Sequence, residues 1–395
     1  MITLIKNAKV YQPECAGVKD ILLIDGKIST IGENISLEIK NAEGVLVEID
    51  GSGMVAIPGL IDPHTHLLGG GGEGGYKTRT PEAMLTDFTT AGVTTAVGCL
   101  GTDGVTRNMI SLLAKAKGLE EEGLSTYVYT GSYHVPPVTL TGDVMKDFLL
   151  ADKVIGVGEV AISDHRSSQP SSQEFRRLSA DARVGGMLSG KAGIMNIHLG
   201  DGSRMLELIL DTVENTEIPI TQFLPTHINR NPALFEEGIR YAKGGGYVDF
   251  TASKDPEYWE AEGEVRTSKG IKRMLEEGVS PDQFTISSDA QGSLPLFNEK
   301  MECIGLGVGK SDTILPEIRS CVLDLGIPLE TVLRASTANP ARILKLTSKG
   351  RIAPGFDGDL CLLEETTLEL DTVLCKGQIM VRSGKPVVLG TFQQG

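Results

Sequence analysis

The stretch of sequence that decides the fold is Pro58-Gly59-Leu60-Ile61-Asp62-Pro63-His64-Thr65-His66. An apolar run leads into two histidines that are two positions apart. Because residues i and i+2 of a strand point to the same side, both imidazoles can bind one metal ion. The alternative is a pair of polar residues at a strand end without a metal. The preceding run favours a metal-binding pair at the carboxyl end of a buried strand.

Strand-like apolar runs alternate with helical stretches eight times along the middle of the chain. We predict strands at Val55–Leu60, Thr94–Leu100, Ser125–Thr130, Val154–Ile162, Gly193–Leu199, Thr221–His227, Tyr247–Ala252 and Gln283–Ser288. Eight strand–helix units in succession predict an α/β fold with a parallel (β/α)₈ barrel, the TIM barrel. An open, doubly wound sheet is the alternative, but it usually has fewer strands and a nucleotide-binding loop. No loop of the GxxxxGK[ST] type is present.

Helices are expected between these strands. A helix is predicted at Pro81–Ala91, because Thr80 can serve as its N-cap and a proline stands at its first position. Asn231–Lys243 and Ser268–Glu277 are also predicted to be helical.

The two ends of the chain have a different pattern, with short strand-like runs and tight turns. Asp25-Gly26 stands between two apolar runs and favours the turn of a β-hairpin. Since chain ends commonly lie close together, we expect residues 1–57 and 346–395 to form one small β-sandwich domain. The barrel would then span residues 58–345.

The composition is that of a globular chain with no preference for polyanions. The 395 residues carry a net charge of −15, which argues against nucleic acid as a partner because no basic face can dominate. No run of about 18 apolar residues is present, and we therefore expect no membrane span. The first residues lack the apolar core of a signal peptide. We expect a cytoplasmic protein.

The cysteines do not form a disulfide pattern. None belongs to a CxxC pair, and their spacing is irregular; they are Cys15, Cys99, Cys303, Cys321, Cys361 and Cys375. They are predicted to be reduced and mostly buried. A thiol nucleophile has little support.

The histidines all lie at or just after the end of a predicted strand. They are His64, His66, His134, His165, His198 and His227. In a barrel this is the carboxyl-terminal face, where active sites lie. A single histidine that closes an apolar strand, as His198 and His227 do, is more often a hydrogen-bonded core residue. Two such residues beside a His-x-His pair favour metal ligands.

Two carboxylates stand at informative places. Asp289 follows the strand Gln283–Ser288, where it could cap a helix, or hold a metal-bound water and accept its proton. Glu159 lies inside the apolar run Val154–Ile162. An ionised carboxylate there is costly unless it is paired or bound to metal, and a ligand that bridges two cations would remove that cost.

Several short motifs together resemble a known family. They are Pro58–His66, Gly69-Gly70-Gly71-Gly72-Glu73, Ser132-Tyr133-His134-Val135-Pro136, Ile162-Ser163-Asp164-His165-Arg166, Thr226-His227-Ile228-Asn229-Arg230 and Ser287-Ser288-Asp289. The first is similar to the amidohydrolase superfamily in general. The combination resembles the isoaspartyl (β-aspartyl) dipeptidases over nearly the whole chain, including both β flanks.

This resemblance implies a binuclear zinc site and a dipeptide substrate. His64, His66 and Asp289 would hold one ion, and His198 and His227 the other. The implied substrate contacts are Glu73 for the α-amino group, Arg166, Arg230 and Ser293 for the carboxylates, Tyr133 for the scissile carbonyl, and Thr102. The resemblance also implies a homo-oligomer.

The sequence departs from the family at the bridging ligand. Members of the family have a lysine that is carboxylated by CO₂, whereas alignment on Ile162–Arg166 puts Glu159 at that position. Both groups are monoanions with two oxygens. Glutamate has a shorter reach, and the strand or the metals must therefore shift. The alternative is a carboxylated Lys153 or Lys191, although neither occupies the matching place.

The implied reaction is hydrolysis of the isopeptide bond in β-aspartyl dipeptides by a metal-activated hydroxide. Asp289 would act as general base and then general acid, while one zinc and Tyr133 stabilise the oxyanion. His134 and His165 are expected to be hydrogen-bond partners rather than ligands.

Plainer interpretations of these residues stay open. Glu73 could be a solvated loop charge, Arg166 and Arg230 could form surface salt bridges, and Tyr133 could simply pack. A cyclic amide hydrolase or an N-acyl deacetylase would keep the ligands without the charged set of Glu73 and the two arginines. A non-catalytic scaffold on the same fold should have lost ligands.

Overall fold

The computed structural model describes residues 2–37, 45–297 and 303–394. The strands are β1 Ile2–Tyr11, β2 Cys15–Ile24, β3 Lys27–Gly32, β4 Leu46–Asp50, β5 Met54–Pro58, β6 Leu60–Thr65, β7 Val93–Gly98, β8 Ser125–Thr130, β9 Val154–Ile162, β10 Ile194–Leu199, β11 Phe223–Thr226, β12 Val248–Thr251, β13 Phe284–Ser287, β14 Ser293–Phe297, β15 Cys303–Val308, β16 Leu360–Glu364, β17 Leu370–Cys375, β18 Gln378–Arg382 and β19 Lys385–Pro386.

The helices lie mainly between the strands of the middle region. They are α1 Leu85–Thr89, α2 Met109–Glu121, α3 Val144–Leu150, α4 Ser172–Ser189, α5 Glu207–Glu214, α6 Pro232–Lys243, α7 Pro256–Ala261, α8 Thr267–Glu276, α9 Ile314–Arg319, α10 Leu329–Ser336 and α11 Ala338–Ile343. Short 3₁₀ turns occupy Tyr76–Thr78, Ile220–Gln222 and Ser311–Thr313, and a π turn occupies Ser320–Asp324. Within the described ranges, no helix is both long and apolar enough to cross a membrane.

Eight parallel strands curl into a barrel, as predicted. Strands β6 to β11 form a six-stranded parallel sheet in chain order, and β12 pairs with β13. The Ile228 N–H donates to Asp249 O at 3.2 Å and joins β11 to β12. The His66 N–H donates to Ala290 O at 2.8 Å and joins the end of β13 to β6. These two links close the circle.

The interior of the barrel is filled by apolar side chains below its mouth. Ile61, Val97, Tyr129, Ile155 and Leu224, from five different strands, belong to one buried cluster. A larger cluster packs between the strands and the surrounding helices. Because side chains alternate along a strand, inward and outward positions build two separate cores. Buried polar side chains are present within the strands as well, as at Asp62 and Asp249.

Both ends of the chain contribute to one mixed sheet of nine strands. Its order is β19-β18-β17-β16-β5-β1-β2-β3, with β4 beside β1. Strand β5 pairs antiparallel with β16, and the Pro58 position faces Leu360. The predicted hairpin is present, since β2 and β3 are antiparallel and join through Asp25-Gly26. Backbone hydrogen bonds thus join the N-terminal and C-terminal segments into one sheet.

The predicted first barrel strand is wrong in its position. The sequence suggested Val55–Leu60, but Met54–Pro58 lies in the terminal sheet and the barrel strand is Leu60–Thr65. Gly59 separates the two, and a Cβ at this position would lie 2.3 Å from Thr94 Oγ1. One apolar run therefore serves two sheets, and its hydrophobicity does not show where one ends and the other begins.

The predicted first helix also begins later than expected. Helix α1 spans Leu85–Thr89, and Met84 is at its N-cap position. The Thr80 hydroxyl does not cap the helix, because it donates to Gln291 O at 2.6 Å and accepts from the Gly70 N–H. Thr80 instead connects two loops at the barrel mouth. The other two predicted helices are present as α6 and α8.

A buried ion cluster lies at the amino-terminal end of the barrel strands. Lys349 Nζ is 2.8 Å from Asp357 Oδ2, contacts Asp359, and donates to Ser125 Oγ at 2.6 Å. Lys27 Nζ reaches Asp357 Oδ1 at 2.5 Å from the terminal sheet. This cluster, called the basal cluster below, ties the terminal sheet to the start of β8.

Candidate active site

The structure brings together all six predicted metal ligands at the carboxyl ends of the strands. They lie on or directly after β6, β9, β10, β11 and β13, and are His64, His66, Glu159, His198, His227 and Asp289. Their convergence follows from the parallel barrel, in which every strand ends at the same face.

Glu159 lies between the histidines. Its Oε2 is 3.3 Å from His64 Nε2 and 3.2 Å from His198 Nδ1, and its Oε1 is 3.3 Å from His66 Nε2. Asp289 Oδ1 is 3.0 Å from His66 Nε2. One carboxylate thus contacts histidines from both predicted metal positions, which is the geometry required of a bridging ligand.

In three of the histidines, one ring nitrogen contacts an oxygen atom that fixes the orientation of the ring. This nitrogen faces away from Glu159 or from the other imidazoles. His64 Nδ1 lies 2.8 Å from Asn196 Oδ1, and His227 Nδ1 lies 2.6 Å from Thr251 Oγ1. His198 Nε2 lies 3.0 Å from Asp164 Oδ2. Such partners fix the ring orientation of metal-binding histidines and leave the second nitrogen for the ion.

Two of the ligands have protonation states that suit cation binding, whereas a cation would have to displace protons from His64 and His66. Burial would lower the pKa of both imidazoles, but the neighbouring Cys99 and acidic groups raise it well above its ordinary value. Burial would raise the pKa of Glu159, but the facing imidazoles of His64 and His198 hold that pKa well below its ordinary value. Burial, together with the neighbouring His198, lowers the pKa of His227. The centre therefore offers an anionic carboxylate and at least one neutral imidazole, the forms in which these groups bind metals.

Two buried carboxylate oxygens in this cluster have no hydrogen-bond partner within the described part of the chain. They are Glu159 Oε1 and Asp289 Oδ1. Burying such atoms without a partner is costly, and divalent cations between the imidazoles would remove the cost. The donor set of nitrogen and oxygen atoms fits zinc and similar metals. The residues therefore fit a metal centre.

A β-bulge places Glu159 in this position. Val157 pairs with Met195 and Val160 pairs with Ile197, and Gly158-Glu159 therefore faces Asn196 alone. A Cβ on Gly158 would lie 2.9 Å from Asn196 Cβ, which explains the glycine. Bulges redirect a side chain. Here the bulge lies at Glu159, whose carboxylate contacts the histidines.

Neither alternative lysine lies at the centre. Lys153 Nζ donates to Thr126 O at 2.9 Å, and Lys191 Nζ donates to Phe148 O and Ala151 O at 2.7 Å each. Both amines are engaged with backbone carbonyls near the starts of strands. The alternative of a carboxylated Lys153 or Lys191 is therefore wrong.

Tyr133 is buried beside the second pair of histidines. Its hydroxyl lies 2.9 Å from His198 Nδ1, and the Arg166 guanidinium stands 5.3 Å from the ring centre. Burial raises the pKa of Tyr133 well above its ordinary value. The phenol therefore stays protonated and can act as a hydrogen-bond donor.

A cavity of about 490 Å³ opens above the ligands. It is lined by all the predicted substrate contacts, which are Glu73, Thr102, Tyr133, Arg166, Arg230 and Ser293. Thr102 Oγ1 donates to Glu73 Oε1 at 2.8 Å, and Arg166 is 3.2 Å from the same oxygen. Arg230 Nε is buried without a hydrogen-bond partner among the described residues.

Some residues of the site had no individual prediction. Asp164 is buried, faces His198, and accepts from Arg166 Nε at 2.9 Å and Arg166 Nη2 at 2.7 Å. Although burial raises the pKa of Asp164, the bonds from His198 and Arg166 lower it well below its ordinary value. Its position in the Ile162–Arg166 motif was the only available signal.

The far wall of the cavity was not predicted either. It contains Trp259, Glu262, Glu264, Leu294 and Leu306. Burial raises the pKa of Glu264 to about 7, although it accepts from Ser253.

The expectation for the two remaining histidines is wrong. His134 is exposed, and the side chain of His165 is 90% exposed and comes no closer than 3.6 Å to Asp164 Oδ1. The oriented ligands use Asn196, Asp164 and Thr251 instead. Strand-end position alone does not distinguish a histidine that points into the barrel from one that points to solvent.

Comparison with known proteins gives one close structural relative. The crystal structure of β-aspartyl dipeptidase from Fervidobacterium islandicum AW-1 in complex with β-Asp-Leu dipeptide is 48% identical in sequence and has a TM-score of 0.90. The match covers 100% of both chains.

More distant relatives share the fold. A crystal structure of D-hydantoinase has a TM-score of 0.67 at 17% identity, and the match covers 99% of this chain and 98% of that one. The curated allantoinase of Bacillus velezensis is 25% identical over 99% of this chain and 92% of its own length. A model of the amidohydrolase family, whose members depend on metals, matches residues 259–389. The chain belongs to the β-aspartyl dipeptidase family of the amidohydrolases.

Proposed function

We propose that this protein hydrolyses the isopeptide bond of β-aspartyl dipeptides. The observation that carries the proposal is the charge of the cavity wall: Glu73, Arg166 and Arg230 line the same cavity as four of the six ligands, which are His66, His198, His227 and Asp289. A β-aspartyl dipeptide has one free amine and two carboxylates. One anion and two guanidinium groups complement that set, since guanidinium pairs with carboxylate through two parallel hydrogen bonds.

We propose two zinc ions for the metal centre. His64, His66 and Asp289 would hold one and His198 and His227 the other, with Glu159 between them. When bound, such a pair supplies an acidified water and polarises the scissile carbonyl. The unpartnered oxygens of Glu159 and Asp289 support this assignment.

The side chains of the site have separate roles in the proposed reaction. Asp289 accepts the proton of the attacking water and passes it to the leaving amine. The protonated phenol of Tyr133 donates a hydrogen bond to the carbonyl oxygen as negative charge develops there. Glu73 binds the α-amino group, while Arg166, Arg230, Ser293 and Thr102 orient the remainder of the dipeptide.

We also propose a division of the chain into two domains. Residues 1–57 and 346–395 form a small β-sandwich domain, and residues 58–345 form the hydrolase barrel. The pairing of β5 with β16 supports the joining of both ends. The separation of β5 from β6 at Gly59 supports a boundary near residue 58.

We further propose a cytoplasmic homo-oligomer. Among the residues whose side chains are described, five cysteines are unpaired and support a reducing compartment: Cys15, Cys99, Cys321, Cys361 and Cys375. Exposed apolar side chains on α3 and α4, which are Leu149, Leu150, Met187 and Leu188, support self-association. Light scattering on the purified chain tests this, and a monomer at micromolar concentration would contradict it.

The decisive experiment compares two isomers of one dipeptide. Purified protein of known metal content is incubated with β-Asp-Leu and with α-Asp-Leu, and the released leucine is measured. We expect cleavage of the β isomer alone, with about two zinc ions per chain. If a metal-loaded protein cleaves neither isomer, the proposed substrate is wrong. Cleavage of hydantoins or N-acyl amino acids instead would assign a different amidohydrolase activity.

A further inference from the structure

Cys99 lies at the barrel mouth, directly after β7. It is 1% exposed and belongs to the same inner cluster as Val97, two positions earlier. Because side chains alternate along a strand, Val97 and Cys99 both point into the barrel. The thiol is therefore placed one step above the apolar interior, at the level of the histidines.

The sulfur lies within the space enclosed by the first group of ligands. Cys99 Sγ is 3.8 Å from His64 Nε2 and 3.8 Å from His66 Nδ1. One ligand atom from each of His64, His66, Cys99 and Glu159 lies within 4.8 Å of every other. Around a tetrahedral zinc ion, the bond lengths place nitrogen and sulfur ligands about 3.6 Å apart. The 3.8 Å between Cys99 Sγ and His64 Nε2 is close to that value, whereas the contact with His66 is made to Nδ1, not to the Nε2 that faces Glu159 and Asp289.

Two further observations distinguish Cys99 from a buried structural cysteine. His66 is the only one of the four histidine ligands whose second ring nitrogen has no oxygen partner among the described residues; that nitrogen faces Cys99. In addition, Glu159 Oε1 has no hydrogen-bond partner among the described residues, although it lies 3.3 Å from His66 Nε2 and within the same group of ligand atoms as Cys99. A sulfur, two imidazoles and an unsatisfied carboxylate oxygen thus surround one position.

We propose that Cys99 is a thiolate ligand of the ion held by His64 and His66. The proposal rests on the metal centre of the proposed function but not on its substrate. On binding, a sulfur–metal bond forms and the thiol proton leaves to solvent. The two ions then have unlike surroundings, because only the first has a sulfur ligand. A soft ligand favours zinc, cobalt or cadmium over magnesium or manganese.

The test uses cobalt as a spectroscopic probe in the full-length chain. Metal is removed with a chelator, Co²⁺ is added, and bound cobalt is counted by elemental analysis. A thiolate bound to Co²⁺ gives an intense charge-transfer band in the near ultraviolet, which nitrogen and oxygen ligands do not give. We expect this band in the wild-type chain and its loss in Cys99→Ser.

Cys361→Ser is the matched control. Cys361 is also 1% exposed, and its thiol contacts Gly92 O at 3.3 Å, as the Cys99 thiol contacts Thr65 O at 3.3 Å. It has no histidine contact among the described residues, and the band should persist in this variant. Loss of the band in Cys361→Ser as well would contradict the assignment.

Two results would overturn the proposal. One is a cobalt-loaded wild-type chain without the band, and this result does not depend on the folding of any variant. The other is a band that survives in Cys99→Ser or, if that variant does not fold, in Cys99→Ala. Since no substrate is present, a chain that shows the band but does not cleave β-Asp-Leu would refute the proposed function and leave the ligand assignment standing.

Discussion

Two groups of buried charges lie at opposite ends of the barrel, and they differ in how their charges are balanced. In the basal cluster, Lys349 is surrounded by Asp357, Asp359 and the Ser125 hydroxyl. At the mouth, Glu159 and Asp289 each keep a buried oxygen that has no hydrogen-bond partner among the described residues and that faces histidine ring nitrogens instead. The first group is complete within the chain, whereas the second requires ions from outside.

The pKa shifts follow the same division. Burial would lower the pKa of Lys349, but Asp359 and Asp357 raise it above its ordinary value. Burial would raise the pKa of Asp357, but Lys349 and Lys27 lower it to about 2. Removing one partner of a buried ion pair destabilises the fold, and a strongly perturbed buried charge in a cleft is a candidate for a functional site. Substitutions at the two ends should therefore have different consequences.

The largest effect is expected for Asp289→Asn. The amide cannot accept the proton of the attacking water, and we expect kcat/KM for β-Asp-Leu to fall by about 10³-fold or more. Steady-state kinetics and metal content, measured on the same sample, check this. A variant with full metal content that stays within tenfold of the wild type would show that Asp289 is not the base.

Glu159→Lys tests the bridging carboxylate. Because an ammonium group repels cations, we expect this variant to lose metal in CO₂-free buffer, while the wild-type chain needs no bicarbonate for activity. Elemental analysis with and without bicarbonate is the measurement. Equal metal content in the variant and the wild type, in the absence of CO₂, would show that Glu159 is not a bridging ligand.

Lys349→Met tests the basal cluster. Removing one partner leaves buried carboxylates without their cation, and we expect the free energy of unfolding to fall by about 3–5 kcal/mol. Folded protein should keep its kcat. Lys243→Met is the control, since the Lys243–Glu277 pair is exposed and should contribute less than about 1 kcal/mol. Denaturant unfolding of both variants measures the loss in the free energy of unfolding. Equal losses would show that the basal cluster contributes no more to stability than an exposed ion pair.

Arg230→Met tests a cationic side chain at the mouth, whose Nε has no hydrogen-bond partner among the described residues and lies 4.0 Å from Asp201 Oδ1. A hydrogen bond to a charged group contributes about 1.5–3 kcal/mol, and we expect a rise in KM of about 10–100-fold with a smaller change in kcat. Initial-rate kinetics separate the two constants. An unchanged KM would place the substrate carboxylate elsewhere.

The smallest expected effect is the loss of free energy of unfolding at acid pH. Asp357 has a lowered pKa, and its contribution is present above the unfolded value of 3.8 and is lost as the pH falls towards about 2. The contribution is about 2 kcal/mol. Urea unfolding at pH 4 and pH 2.5 measures it, and the difference between these pH values should shrink in Lys349→Met. An unchanged difference would mean that another carboxylate dominates.

Much of the barrel was predictable because its strands are short, buried runs rich in apolar and β-branched residues. Where one run serves two sheets, as around Gly59, the local sequence does not contain the boundary. The predicted start of α1 was wrong for a related reason. Thr80 has the chemistry of an N-cap, but its hydroxyl bonds to Gln291, which is 211 residues away.

The same distinction applies to the site. Ligands at strand ends were predictable because the position along a strand determines the face of the barrel. The partners that orient them were not, because Asn196 meets His64 across 132 residues and Asp164 meets His198 across 34. Cys99 was interpreted only as a buried cysteine. Cys99 stands at the end of the predicted strand Thr94–Leu100. The strand-end argument that predicted the histidine ligands could have been applied to this cysteine as well.

The shared terminal sheet has a consequence for how the chain is made. Strand β5 pairs with β16, and nearby Lys9 Nζ contacts Glu365, 356 residues away. At about 5–20 residues per second, a ribosome needs ~15–60 s to deliver the second strand after the first has emerged. Until then, the apolar edge of β5 is unpaired and open to other strands. The nascent chain therefore depends on its last-made segment, and a premature stop before residue 360 should yield aggregates rather than a free barrel.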